Sequence, residues 1–148
     1  MIEIGDGQKI AASVSFQCKK LKIGKNAVIH DRVTFLGEEI EIGDNVWIGQ
    51  DAIIDGSEKI KIGNNVIIGF GAYLLSHTGN TSIRKDGSGV MLKKAAIVIE
   101  DGAWVMSRAS INPGVKIGKN ARVYNGAIVT KDVPANAVAK GVPAVIKK

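Results

Sequence analysis

Residues 99–133 read I-E-D-G-A-W-V-M-S-R-A-S-I-N-P-G-V-K-I-G-K-N-A-R-V-Y-N-G-A-I-V-T-K-D-V. A branched aliphatic side chain returns at every sixth position: Ile99, Val105, Ile111, Ile117, Val123 and Val129. Four residues after each stands a small or β-branched one, namely Ala103, Ala109, Val115, Ala121, Ala127 and Val133. A period of six is neither the 3.6 of a helix nor the alternation of a half-buried strand. Short strands joined by tight turns, each placing one large residue inward, satisfy it. A sandwich of short antiparallel strands would not hold one phase over so long a stretch.

The same pattern extends back through Ile62, Ile68 and Leu74, then Ile42, Ile48 and Ile54, then Ile23, Ile29 and Phe35, with a weaker copy at Ile4, Ile10 and Phe16. Grouped by three, the coils start at Ile4, Ile23, Ile42, Ile62, Ile99 and Ile117, at spacings of 19, 19, 20, 37 and 18 residues. The underlying turn is therefore three sides of six, with extra residues entering between the third side of one coil and the first of the next. This predicts an all-β triangular prism of about six coils, roughly 29 Å tall at the spacing of paired strands. Each coil would be buried only against its neighbours. Gly24, Gly43, Gly63 and Gly118 follow an inward aliphatic, with Asn26, Asn45, Asn65 and Asn120 two residues on. Both residue types tolerate the positive φ of tight corners. The pattern leaves handedness open, and the general crossover rule favours a right-handed path.

The 37-residue interval holds an insertion of about 19 residues between Leu75 and Val98, reading L-S-H-T-G-N-T-S-I-R-K-D-G-S-G-V-M-L-K-K-A-A. A loop that long in a compact repeat is either functional or disordered. It carries His77, one of two histidines. By residue type alone His77 is either a surface group or a proton carrier.

The chain has 148 residues and 45% hydrophobic content, enough for one core without disulfides or metals, and residues 1–148 are expected to form a single domain. Its one cysteine, Cys18, has no internal partner and fits a reducing compartment. The opening M-I-E-I-G-D-G lacks the basic and apolar regions of a secretory signal, and no apolar run reaches a membrane span, so a cytoplasmic protein is expected. Net charge is +6, but the lysines are scattered and do not interleave with aromatics, so nucleic acid is not an expected partner.

The units I-G-K-N-A-V, I-G-D-N-V-W, I-G-N-N-V-I and I-G-K-N-A-R resemble those of the hexapeptide-repeat acyltransferases. The stretch from Ile62 to Lys148, with L-L-S-H-T-G-N, I-N-P-G-V-K-I-G, V-T-K-D-V-P and G-V-P-A, is similar to the galactoside and maltose branch and to enzymes that O-acetylate surface polysaccharides. The resemblance implies a left-handed parallel β-helix, a homotrimer, and acetyl-CoA held in clefts between subunits. In such a trimer the inserted loop, about 75–98, would close over a neighbour's cleft; a C-terminal tail is expected over about 135–148.

On that resemblance His77 is the general base that takes a proton from the acceptor hydroxyl and returns it to the thiolate. The oxyanion donor comes near Ser107. The positions matching cofactor contacts are Ser107, Asn125, Thr130 and Lys131, with Lys140 and Gly141 near the adenine end and Trp104 beside the pantetheine. Val145 stands where the family commonly has a basic residue, and Lys147 and Lys148 are the available substitutes. In the loop, Asn80 and Arg84, together with Lys85 and Asp86, are either contacts for a polyhydroxylated or acidic acceptor, such as a sugar or nucleotide-sugar, or solvated surface groups. No metal is expected, since the zinc carbonic anhydrases of this fold need three histidines and His30 is the only other one. Cys18 lies far from the insertion, which argues against an acyl-cysteine. The implied activity is O-acetylation of a sugar or polysaccharide precursor; N-acetylation of an amino sugar and a non-catalytic scaffold are the alternatives.

Overall fold

A computed structural model describes residues 1–83 and 90–148. Among them every regular element is a strand, and no helix is long and apolar enough to cross a membrane. The inward residues stack in three columns, one per side of the prism. Ile4, Ile23, Ile42, Ile62, Ile99, Ile117 and Val133 pair in parallel register on the first face. Ile10, Ile29, Ile48, Ile68, Val105, Val123 and Ala139 do so on the second. Phe16, Phe35, Ile54, Leu74, Ile111 and Val129 make the third. From Ile23 to Ala139 these side chains are at most 2% exposed and form one core cluster.

The solenoid has about seven turns rather than six. The last begins at Val133, only 16 residues after Ile117, which a strict 18-residue count passes over. It ends where Val145–Lys147 turns back antiparallel to Val138–Lys140 and stops the parallel stacking.

The corners sort the turn residues. Asn26, Asn45, Asn65 and Asn120 hold φ of 57–59°, as their residue type predicts, and Asn26 Nδ2 donates to Asn45 Oδ1 at 3.3 Å along that edge. The glycines two residues before them do not have positive φ, which corrects the reading from residue type. A Cβ on Gly43 would stand 2.8 Å from the Gly63 carbonyl carbon and 2.3 Å from Asn64 Oδ1. Glycine is needed there so that successive coils can approach.

The extra residues enter at the third-to-first edge, as the coil count requires. In the lower coils they lie within continuous strands, Ser15–Ile23 and Thr34–Ile42. In the fourth they become an antiparallel hairpin of His77–Ile83 against Val90–Lys94, with irregular register between Gly79 and Ile83. Its neck is closed by Ala95 N–H donating to the Ser76 carbonyl at 2.9 Å.

Candidate active site

Ser76 anchors the start of the hairpin. It is fully buried; its hydroxyl donates to the Asp55 carbonyl at 2.6 Å and accepts from Glu58 N–H at 2.9 Å. The next residue, His77, is thereby set over the coil below. Its Nδ1 is buried and stands 2.7 Å from Asp55 Oδ2. The ring is turned so that the N–H does not point along a linear hydrogen bond, and such bonds commonly tighten once a complex forms.

Asp55 is 5% exposed, a burial that a carboxylate tolerates only with partners. Its Oδ1 accepts from Ser57 N–H at 3.0 Å and Ser57 Oγ–H at 2.7 Å, leaving Oδ2 for His77. A carboxylate facing Nδ1 favours the tautomer protonated there, so the Nε2 lone pair is directed away from Asp55. The His77 side chain is 34% exposed, enough for a substrate to reach it.

Asp55 escapes a reading by residue type because it lies 22 positions before His77. The register carries the signal: Ile54 pairs with Leu74 and Asp55 with Leu75, two residues short of the histidine. The corresponding position is Gln17 and Leu36 in the coils below, so the acid is peculiar to this level.

A second region lies on another side of the prism. The outward residues Val28, Trp47, Ile67 and Trp104 form one in-register column on the second face. Trp47, Ile67, Phe70, Trp104 and Ser107 line an apolar cleft of about 580 Å³, with Asn45 and Asn65 at one rim. Trp47 packs against His30 and Phe70 at ring distances of 4.8 and 5.7 Å. The family resemblance pointed to Trp104 and Ser107; Trp47, Ile67 and Phe70 join them because they share the column or its edge.

Ser107, Asn125 and Gly141 stack along the second-to-third edge, through Gly126 N–H to the Ser107 carbonyl and Ile128 N–H to the Gly141 carbonyl. Lys140 sits beside them with its ammonium 5.7 Å from the Tyr124 ring centroid. Among the described residues the Ser107 N–H donates to no backbone carbonyl. Thr130 and Lys131 follow inward Val129 and so lie, exposed, on the third-to-first edge with His77. One chain therefore divides the residues matched to the cofactor between two edges. His77 does not line the Ser107 cleft. The third face lies between them, about 16 Å for a five-residue extended run. Asn80 belongs to the first hairpin strand, and Arg84 lies outside the described residues, as do Lys85 and Asp86. Among the described residues no three His, Cys, Asp or Glu side chains gather as metal ligands.

Cys18 is buried, and burial pushes its thiol above the ordinary value; its Sγ–H donates to the Lys20 carbonyl at 3.1 Å. A thiol held protonated is a poor nucleophile.

Two hexapeptide families match the chain: "Bacterial transferase hexapeptide (six repeats)" over residues 96–131 and "Hexapeptide repeat of succinyl-transferase" over residues 39–76. The chain is 37% identical to the galactoside O-acetyltransferase of Escherichia coli K12, over 82% of this chain and 60% of that one. It is 31% identical to a putative colanic acid biosynthesis acetyltransferase of the same organism, over 84% and 67%. Among solved structures, a hexapeptide-repeat acetyltransferase from Vibrio cholerae complexed with acetyl coenzyme A aligns with a TM-score of 0.67 at 26% identity, over 97% of this chain and 68% of that one. The chain thus spans roughly three fifths of the length of the galactoside relative.

Proposed function

Since this chain belongs to the hexapeptide-repeat acetyltransferase family, we propose that it transfers an acetyl group from acetyl-CoA to a hydroxyl of a sugar or polysaccharide precursor. The observation that carries the reading is the buried Asp55 carboxylate 2.7 Å from His77 Nδ1 at the neck of the hairpin. That contact leaves Nε2 as the base. Nε2 takes the proton of the acceptor hydroxyl as its oxygen bonds to the thioester carbonyl carbon. The carbonyl oxygen becomes an oxyanion, which a free N–H such as that of Ser107 stabilises. Collapse re-forms the carbonyl and breaks the carbon–sulfur bond, and the proton on Nε2 passes to the departing thiolate. The imidazolium formed on the way is balanced by Asp55. No covalent acyl-enzyme is needed, and Cys18 is unsuited to one.

The site is completed between copies of the chain, because His77 and Ser107 lie on different edges. In a homotrimer the third-to-first edge of one copy, with His77, Thr130 and Lys131, faces the Trp104, Ser107, Asn125, Lys140 and Gly141 surface of the next. Acetyl-CoA would run along that seam, its apolar arm against the tryptophan column and its phosphates toward the lysines. We assign Asn80 and Arg84, both carried by the insertion, to contact with the acceptor.

Replacing His77→Ala is expected to abolish acceptor-dependent CoA release, read by thiol formation with a panel of hydroxylated sugars, while calorimetry shows acetyl-CoA affinity within about threefold. Asp55→Asn, in the same assay, should lower kcat by about a hundredfold or more. Wild-type turnover by His77→Ala would remove the histidine from the mechanism. No acetyl-CoA binding at millimolar concentration would favour a scaffold instead.

A further inference from the structure

We propose that Lys94 selects acceptors that carry a negative charge close to the reacting hydroxyl, an inference that rests on the acetyl-transfer reading above. The hairpin register pairs His77 directly with Lys94, and Thr78 with Lys93. Directly opposed residues of an antiparallel pair project from the same face, with Cβ atoms about 4.5–5.5 Å apart. Lys94 therefore flanks the imidazole, whereas Lys93 belongs to the opposite face of the hairpin.

The histidine is oriented by Asp55 beneath it, so a substrate approaches from the exposed side, where Lys94 stands. Asp55 does not neutralise that side: it is buried, and its two oxygens are taken by His77 and Ser57. Lys94 is exposed, and none of the ion pairs among the described residues uses it. Placed beside the base, the ammonium offers a carboxylate or phosphate of the acceptor a charge-assisted hydrogen bond, while a neutral sugar leaves it in water. The cation is built into the neck, where Ser76 and Ala95 close the hairpin, so its position relative to His77 follows from backbone pairing.

Calorimetry with p-nitrophenyl β-D-galactopyranoside and the matching p-nitrophenyl β-D-galacturonide tests this, because the two differ in a carboxylate. The wild-type protein should bind the galacturonide about tenfold more tightly, the scale of one hydrogen bond to a charged group. Lys94→Gln should reduce galacturonide affinity to that of the galactoside, Lys94→Arg should retain the preference, and neither should alter acetyl-CoA affinity. Equal affinity of the wild type for both sugars, binding of neither, or an equal loss for both in Lys94→Gln would overturn the proposal. A selective loss of acetyl-CoA affinity in Lys94→Gln would also overturn it, by assigning the lysine to the coenzyme phosphates. Binding needs no turnover. A wild type that prefers the galacturonide yet releases no CoA with any acceptor would sink the acetyl-transfer reading and leave charge selection standing.

Discussion

The first and second faces of the prism share one inward design and differ in what they turn outward. Behind both runs an unbroken aliphatic column, including Ile62 on the first and Ile68 on the second, each at most 1% exposed. Outward, the first face alternates Glu3, Lys22, Glu41 and Lys61 in register. Lys59 stands 3.2 Å from Glu41 and 3.7 Å from Glu39, and Lys116 3.8 Å from Glu100. The second face presents Val28, Trp47, Ile67 and Trp104. Alternating charge keeps a wall in water; a continuous apolar column around a cleft marks a surface that something covers. The wall and its use are therefore separate properties of the same hexads.

The largest expected effect breaks that contrast on the apolar side. Trp104→Glu places a charge in the cleft and should convert a trimer into single chains of 15.6 kDa with loss of acetyl transfer, whereas Lys61→Glu should leave the assembly intact. Light scattering reads both, and a wild-type mass of one chain would end the trimer proposal. Next, the shared interior predicts equality. Ile62→Ala and Ile68→Ala should each lose about 2–5 kcal/mol in urea unfolding, despite their different outer faces. A large inequality would mean that the outward residues also support the wall.

The smallest effect belongs to the ion pairs. Hydrogen bonding to Lys59, opposed by slight burial, holds the Glu41 carboxyl below its ordinary range. A carboxylate with a depressed folded value adds stability above its unfolded value and loses it as pH falls through the folded one. Because the pair is exposed and screened, Glu41→Gln should cost under about 1 kcal/mol at pH 7. Its difference from the wild type should fade in acid below the lowered carboxyl value. A constant difference across that range, in melts followed from pH 7 downward, would contradict the assignment.

The fold was legible because a six-residue period repeats its instruction in every coil, and one irregular spacing cannot hide it. The inward Ile, Val and Leu positions, the edge that receives the extra residues, and the insertion carrying His77 all follow from counting, whereas its pairing as a hairpin does not. Two readings failed for local reasons. Residue type suggested positive φ at Gly43, but the constraint there is the close approach of the next coil. The eighteen-residue count stopped at Ile117, although Val133 continues the stack after a shorter turn. Arg84, a candidate within the insertion, lies outside the described residues.

By itself the sequence determined the solenoid, because burial of one aliphatic per hexad depends only on period. It also marked Trp104, Ser107 and His77, through motifs that are contiguous in the chain. The tertiary structure alone decided that Asp55 stands beside His77, since the two meet through register between coils rather than nearness in sequence. It likewise separated Ser107 from His77 by the width of a face. A solenoid turns distance along the chain into height and edge, and only the wound coil shows which residues share an edge.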